Sequence, residues 1–335
     1  MKRHPISIFV AITFVVSALM WAKPGFGGEL KLAHFLSTKH PFHNVMVNFG
    51  KELSTATNGS TTIRVFPGGA LGANPVEQFN RAVDGVADLV FGVPGYTASI
   101  FPRMILAEYP GLVNNPYDLT KKLNSALDKG LFGKEFKRVK ILSLWNISPG
   151  VLFTSKAPIR KLSDLKGLKI RTPSKSAATL IKAWGAVPVF TAITEMYNGL
   201  QTGVFDGALV DPGVAIAFRL TEISKYVTTG FDSFLVSFYI AMNRRSYSSL
   251  NPADRAALDK LSGQSLAKNF YDSFAGVTKA GLGAMSKNGR EVIKLGTKEA
   301  AQFNKIADKV RIAAIADLDK QGVNASKFSS FLFSK

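Results

Sequence analysis

The chain contains no cysteine. That excludes a disulfide framework, a thiolate metal site, a cysteine nucleophile and a lipid-modified cysteine anchor. It suits an oxidising compartment, where a free thiol is a liability. Acids are scarce, 23 against 42 Lys and Arg, which leaves a formal charge of +19 over 335 residues. Such a surplus draws anions or anionic surfaces. The basic residues are scattered among acids, so an anionic small ligand is the expected partner and nucleic acid is not. No Gly-x-Ser-x-Gly elbow and no phosphate loop ending in Gly-Lys-Ser/Thr occurs. His34, His40 and His43 lack the spacing of a zinc-peptidase helix or a metal loop. No catalytic residue, metal or cofactor is therefore expected.

Long apolar runs are lacking too, with one exception. Lys2 and Arg3 precede ISIFVAITFVVSALMW (6–21), and Gly25 and Gly27 follow at small-x-small spacing. This is the layout of a secretory signal peptide, and the run falls short of the ~20 residues of a spanning helix. Residues 1–28 are read as a cleaved leader, with an uncleaved anchor as the alternative. Losing them removes Lys2, Arg3 and Lys23 and no acid, which lowers the charge by three, to +16. The mature chain is expected to be periplasmic and monomeric.

What is present is a repeat. EQFNRAVDGVADLVFGVPG (77–95) returns 118 residues later as EMYNGLQTGVFDGALVDPG (195–213). In the first copy, TTIRVF (61–66) alternates as a strand, and Asn74, Pro75 and Glu77 open a helix with a capping box. Val76, Phe79, Val83 and Val86 give that helix a buried face, Gly85 ends it, and ADLVFG is the next strand. The second copy repeats the order: AVPVF (186–190) as strand, Thr191 as N-cap, Ile193, Met196, Tyr197 and Leu200 as apolar stripe, Gly203 as stop, FDGALV as strand. Each copy is a strand–helix–strand crossover of a parallel sheet. Two similar α/β lobes are the simplest architecture that produces both. Glu77, Glu195, Asp88 and Asp206 then read as duplicated helix-start and strand-start residues, not acid–base pairs.

Further strands are expected at 140–145, 151–154 and 168–171, followed by a helix at 175–184. The apolar run 234–243 suits a central strand. Helices should cover about 252–280 and 297–320. No low-complexity linker divides the lobes, which suggests strands crossing between them.

Arg171 ends the strand LKIR just before a helix N-terminus, the place where open α/β sheets bind ligands. A guanidinium there meets a carboxylate through two parallel hydrogen bonds. An ordinary surface arginine is the plain alternative. Around it, DLKGLKIRTPSKSAATLIKAWGAVPVFTAITEMYNGLQTGVFDGALV resembles the core signature of the DctP-type solute-binding proteins of TRAP transporters. RVFPGGALG and RAVDGVADLVFGVPGYTASIFP resemble that family's amino-terminal half, and the likeness runs over about residues 30–320.

The resemblance implies an α/β, two-lobed periplasmic-binding-protein (Venus-flytrap) architecture, with strands and a helix crossing between lobes. The expected division is residues 29–147 plus 237–285 for lobe I and 148–236 plus 286–335 for lobe II. It implies a receptor, not an enzyme, that captures an organic acid and passes it to the small and large integral membrane subunits of an ion-coupled transporter. An ABC-type transporter or a chemosensory partner is the alternative recipient. Arg171 stands where the family pairs an arginine with the ligand carboxylate. Many members carry a second arginine where this chain has Val151, so a monocarboxylate is expected over a dicarboxylate. Three roles are open to Asp211: accepting from a ligand hydroxyl or amine, helping to hold a cation, or pairing with a nearby base. Topology adds Ser37, Thr38, His40, Phe91, Val93 and Tyr96 from the first lobe and Phe190 and Val210 from the second, apolar walls with a few polar anchors.

Overall fold

The computed structural model describes residues 28–111, 115–287 and 289–334, so the leader up to residue 27 lies outside the described residues. β1 (Glu29–Ala33) turns into α1 (Pro41–Ala56), and β2 (Thr62–Phe66), α2 (Gln78–Asp84) and β3 (Leu89–Gly92) form the first crossover. α3 (Pro116–Asp128) and β4 (Val139–Asn146) follow. The second half runs β5 (Val151–Thr154), β6 (Lys169–Thr172), α4 (Lys175–Ala183), β7 (Val187–Phe190), α5 (Met196–Thr202), β8 (Gly207–Val210), α6 (Leu220–Ile223) and β9 (Tyr226–Thr229). β10 (Ser237–Asn243) precedes α7 (Arg244–Ser249), α8 (Pro252–Leu261) and α9 (Gly263–Met285). β11 (Glu291–Lys294), α10 (Thr297–Lys320) and α11 (Ala325–Phe333) complete the chain.

Two sheets result, ordered β2-β1-β3-β10-β4 and β11-β9-β5-β8-β6-β7. The fold is α/β and two-lobed, and the repeat explains its symmetry. β3 lies parallel to β1 and antiparallel to β10, just as β8 lies parallel to β6 and antiparallel to β5. The helices α2 and α5 end on left-handed glycines, Gly85 (φ 76°) and Gly203 (φ 74°). The repeated aspartates are structural. Asp88 accepts the backbone N–H of Lys31 at 2.8 Å, and Asp206 that of Lys169 at 3.0 Å, each tying the second strand of its crossover to a parallel neighbour.

Three expectations need correction. Val86 is 51% exposed, because the left-handed Gly85 has already turned the chain away from the helix face. Thr191 caps nothing: Ala192 occupies the N-cap position of the Ile193–Glu195 turn without a side-chain bond. The helix expected over 252–280 is broken at Ser262, where Gly263 takes φ +62° and separates α8 from α9. The apolar run 234–243 does place β10 centrally, between β3 and β4, but 234–236 belong to the connection before it.

The chain crosses between lobes at 147–150 and again at 230–236. These two ribbons hydrogen-bond to each other, Ile147 N to Val236 O at 3.3 Å and Gly150 N to Phe234 O at 2.9 Å. α9 bridges both lobes, packing on α1, α3 and β4 at one end and on the Pro212–Val214 turn at the other. Phe270 of α9 stacks on Trp145 of β4 with ring centroids 3.9 Å apart. α10 lies on α4, and α11 packs on α10, on α3 and on the Met104–Glu108 turn.

Gly281 allows α9 its closest approach to the second lobe: a Cβ there would stand 1.9 Å from the Pro212 carbonyl oxygen. Gly281→Ala is expected to destabilise the fold by about 1–3 kcal/mol. Gly283→Ala, whose Cβ would meet nothing within 4 Å, should stabilise it by about 0.5–1 kcal/mol. Urea unfolding of the two variants measures the contrast.

Candidate ligand-binding site

Between the lobes lies a cavity with about 40 Å³ of free space, room for about three water molecules. Its wall is assembled from Phe35, Leu36, His40, Phe42, Phe91, Val93, Tyr96 and Ile147, joined by Arg171, Pro173, Ile193, Val210, Asp211, Val214, Val236, Phe238 and Phe274. Among the described residues, only His40, Tyr96, Arg171 and Asp211 bring polar side-chain groups to it. An apolar pocket with a few converging polar groups is the usual form of a small-ligand site.

Arg171 sits near the carboxyl end of β6, paired with Ala208 of the neighbouring β8. Its side chain is buried, at 1% exposure. Nε and Nη2 both donate to the carbonyl oxygen of Thr191, at 3.0 and 2.7 Å, and the Tyr96 hydroxyl stands beside the guanidinium. No carboxylate pairs with Arg171 among the described residues. Burial pushes its pKa down, and Tyr96 beside it works in the opposite direction. A fully buried cation with neutral partners alone is a costly arrangement that an incoming anion relieves.

Tyr96 comes from the opposite lobe, in the Pro94–Thr97 turn after β3. Its hydroxyl accepts the backbone N–H of Ile193 at 3.0 Å, a bond across the cleft. Gly95 explains how the lobes approach so closely, since a Cβ there would lie 2.8 Å from Cβ of Ser174. Ser174 caps α4, accepting from Ala177 N at 3.0 Å.

Asp211 opens the corresponding turn after β8. Its Oδ1 accepts from Gly213 N at 2.5 Å and from Thr278 Oγ1 of α9 at 3.4 Å, while the buried Oδ2 has no partner. His40 caps α1: its Nδ1 accepts from Phe42 N at 3.2 Å, which leaves the ring proton on Nε2. Burial holds His40 down to about pKa 4 and therefore neutral.

Of the residues expected from sequence, the structure gathers Arg171, Asp211, Val210, Tyr96, Phe91, Val93 and His40 around the cavity. Thr38 does not reach it. The turn closed by His40 N and Ser37 O lifts residues 37–39 into solvent. Phe190 stands behind Tyr96, edge-on at 6.4 Å, on the edge strand β7 rather than in the wall. Val151 pairs with Val210 across β5 and β8 and also lies outside the wall. Sequence reasoning missed Phe35, Phe42, Phe238 and Phe274. Phe42 had a visible signal, an aromatic beside the helix-opening Pro41, and Phe274 had none, because α9 reaches the site only through tertiary packing.

Burial also raises four carboxyls, Glu108 and Asp211 to about 8, Glu135 to about 7 and Asp232 in the same direction. It lowers three histidines, His34 to about 3, His40 to about 4 and His43 in the same direction. A carboxyl with a raised folded pKa lends stability at low pH that is lost as pH rises through that pKa. The histidines oppose this trend only up to about pH 6.5, where the unfolded imidazole loses its proton. The melting temperature should therefore fall between about pH 6.5 and 8.5, and Asp211→Asn should flatten that fall in a calorimetric pH series.

Comparison with known proteins agrees with this geometry. The family described as bacterial extracellular solute-binding protein, family 7 (DctP), matches residues 32–315. The 2,3-diketo-L-gulonate-binding periplasmic protein YiaO of Escherichia coli (strain K12) is 26% identical over 234 residues, 69% of this chain and 70% of that protein. The C4-dicarboxylate-binding periplasmic protein DctP of Rhodobacter capsulatus is 25% identical over 239 residues, 70% of this chain and 71% of that protein. Among solved structures, a TRAP solute binding protein from Rhodoferax ferrireducens T118, in complex with copurified benzoate, matches with a TM-score of 0.84 at 26% identity. The match covers 92% of this chain and 97% of that one. With the matched segment taking in both crossovers, Arg171 and the whole cavity wall, the chain belongs to family 7 of the bacterial extracellular solute-binding proteins, the DctP family.

Proposed function

We propose that this protein is the periplasmic receptor of a TRAP-type transporter, that residues 1–28 direct its export, and that its ligand is a compact aromatic monocarboxylate. The observation that carries the reading is Arg171, a buried guanidinium with no acidic partner among the described residues. A ligand carboxylate supplies the missing charge and takes two N–H donors in a planar fork. Arg171 is also the single cationic side chain in the cavity wall, since His40 is neutral. A dicarboxylate would bury its second charge without a partner.

The apolar wall supports an aromatic body for the ligand, which the free space of about 40 Å³ admits only with the lobes set further apart than here. Phe91 stacks on Phe238 with centroids 5.5 Å apart, and Phe35 and Phe42 tilt against Phe91 at 5.3 and 5.9 Å. Ring–ring contacts of this kind favour a flat apolar body. The benzoate bound by the Rhodoferax ferrireducens relative is such a ligand. In this reading the loaded receptor hands its acid to the small and large membrane subunits, and transport rather than turnover is the outcome.

Titration calorimetry with benzoate tests the anchor. Arg171→Ala should weaken binding by at least about thirtyfold, because one partner of a desolvated charge pair is gone. Arg171→Lys should also weaken it, since the fork is lost. Unchanged affinity in Arg171→Ala refutes the assignment. A thermal-shift screen tests the class: benzoate at a hundred times its Kd should add about 2.7 kcal/mol of stability, and succinate should leave the melting temperature in place. A shift produced by dicarboxylates alone would overturn the monocarboxylate reading.

A further inference from the structure

Among the described wall residues, Asp211 alone keeps a buried side-chain atom without a hydrogen-bond partner, its Oδ2. The rest of the carboxyl is committed. Oδ1 takes the Gly213 N–H and the Thr278 hydroxyl, and so caps the Pro212–Val214 turn. That structural duty leaves Oδ2 unused, and orphaned buried polar atoms are rare because each forfeits its solvation.

Two of the roles open to Asp211 from sequence find no support around it. It joins none of the ion pairs among the described residues. No cluster of three His, Asp or Glu residues suited to a cation forms among the described residues either. Burial dominates the shift of each, and no hydrogen bond or ion pair joins Asp211 to Arg171 among the described residues. The cavity thus has two separate polar stations. Raised to about pKa 8, the Asp211 carboxyl is protonated at neutral pH, and with Oδ1 accepting from two donors the proton resides on Oδ2. The surroundings of that station are aromatic. A Cβ on Gly213 would lie 2.6 Å from the Phe274 ring, and His40 stacks on Phe274 with centroids 5.9 Å apart.

Resting on the aromatic-acid reading of the same site, we propose that Asp211 is a specificity-determining residue. Its Oδ2 hydrogen-bonds a hydroxyl group on the ring of a ligand whose carboxylate is held by Arg171. The preferred ligands are then hydroxylated aromatic acids. A site that pairs a buried polar atom with a ligand hydroxyl discriminates strongly against the analogue lacking it.

The test compares benzoate with its 2-, 3- and 4-hydroxy derivatives by calorimetry on the full mature chain. Asp211→Asn keeps both the cap and a donor in the place of Oδ2. Asp211→Ser keeps a capping oxygen and deletes only the second station. In the wild type at least one hydroxybenzoate should bind about tenfold or more tighter than benzoate. Asp211→Asn should retain that ratio within about threefold, and Asp211→Ser should bring it close to one. The ratio within each variant does not depend on the fraction folded, so a destabilised variant still reports. A hydroxyl preference that survives Asp211→Ser, or an equal loss for every ligand, overturns the proposal and leaves Asp211 as a cap. Benzoate binding with no gain from any hydroxyl overturns this proposal alone. Failure of all four acids to bind overturns it together with the aromatic-acid reading.

Discussion

A guanidinium sealed from water, with a carbonyl and a phenol for company, governs how the two lobes meet. Leaving such a charge uncompensated costs about 3–5 kcal/mol by the standard of broken buried ion pairs. Arg171 stands on β6, but Tyr96 beside it belongs to the other lobe, as do His40 and Phe91. Neither lobe encloses the cation alone. A ligand that supplies the anion therefore interacts more strongly with the lobes together than apart, and that differential is what shifts a population toward closure.

The repeated crossover supplies matched jaws for this arrangement. Each copy delivers a strand to its sheet, stops its helix on a left-handed glycine and turns into the cleft through a Pro-Gly pair. Those glycines are spent on close approach: Gly95 against Ser174 across the cleft, Gly213 against Phe274 of α9. The two copies share this scaffold and differ just ahead of the Pro-Gly pairs, with apolar Val93 on one jaw and Asp211 on the other.

The features legible in the sequence were those with local causes. Glycine stops and apolar spacing disclosed both crossovers, Asn74 capped the first of them as read, and the uniform apolar run disclosed β10 as a central strand. The placement of Arg171 followed from strand-end topology and a motif. What stayed hidden depended on distant partners. β9 and β11 are four-residue strands whose pairing with each other has no sequence period to announce it. Phe274 enters the wall because α9 leans on the Pro212–Val214 turn, a contact that the spacing within α9 does not encode. Thr38 and Phe190 failed as wall residues for a related reason: loop proximity along the chain does not tell which way a side chain faces once the turn at Ser37 and the edge position of β7 are set.

The ladder between the two crossing ribbons carries a mechanical consequence. Two strands tied by Ile147 N–Val236 O and Gly150 N–Phe234 O resist shear and separation far more than twisting. With α9 fastened at both ends, the lobes keep in effect one soft coordinate, rotation about the ribbon pair, like covers turning on a book's spine. Residues far from that axis then sweep the longest arcs, and those beside it barely move. Ligand escape then requires an excursion along that one angle, so the opening rate sets an upper bound on the rate of dissociation.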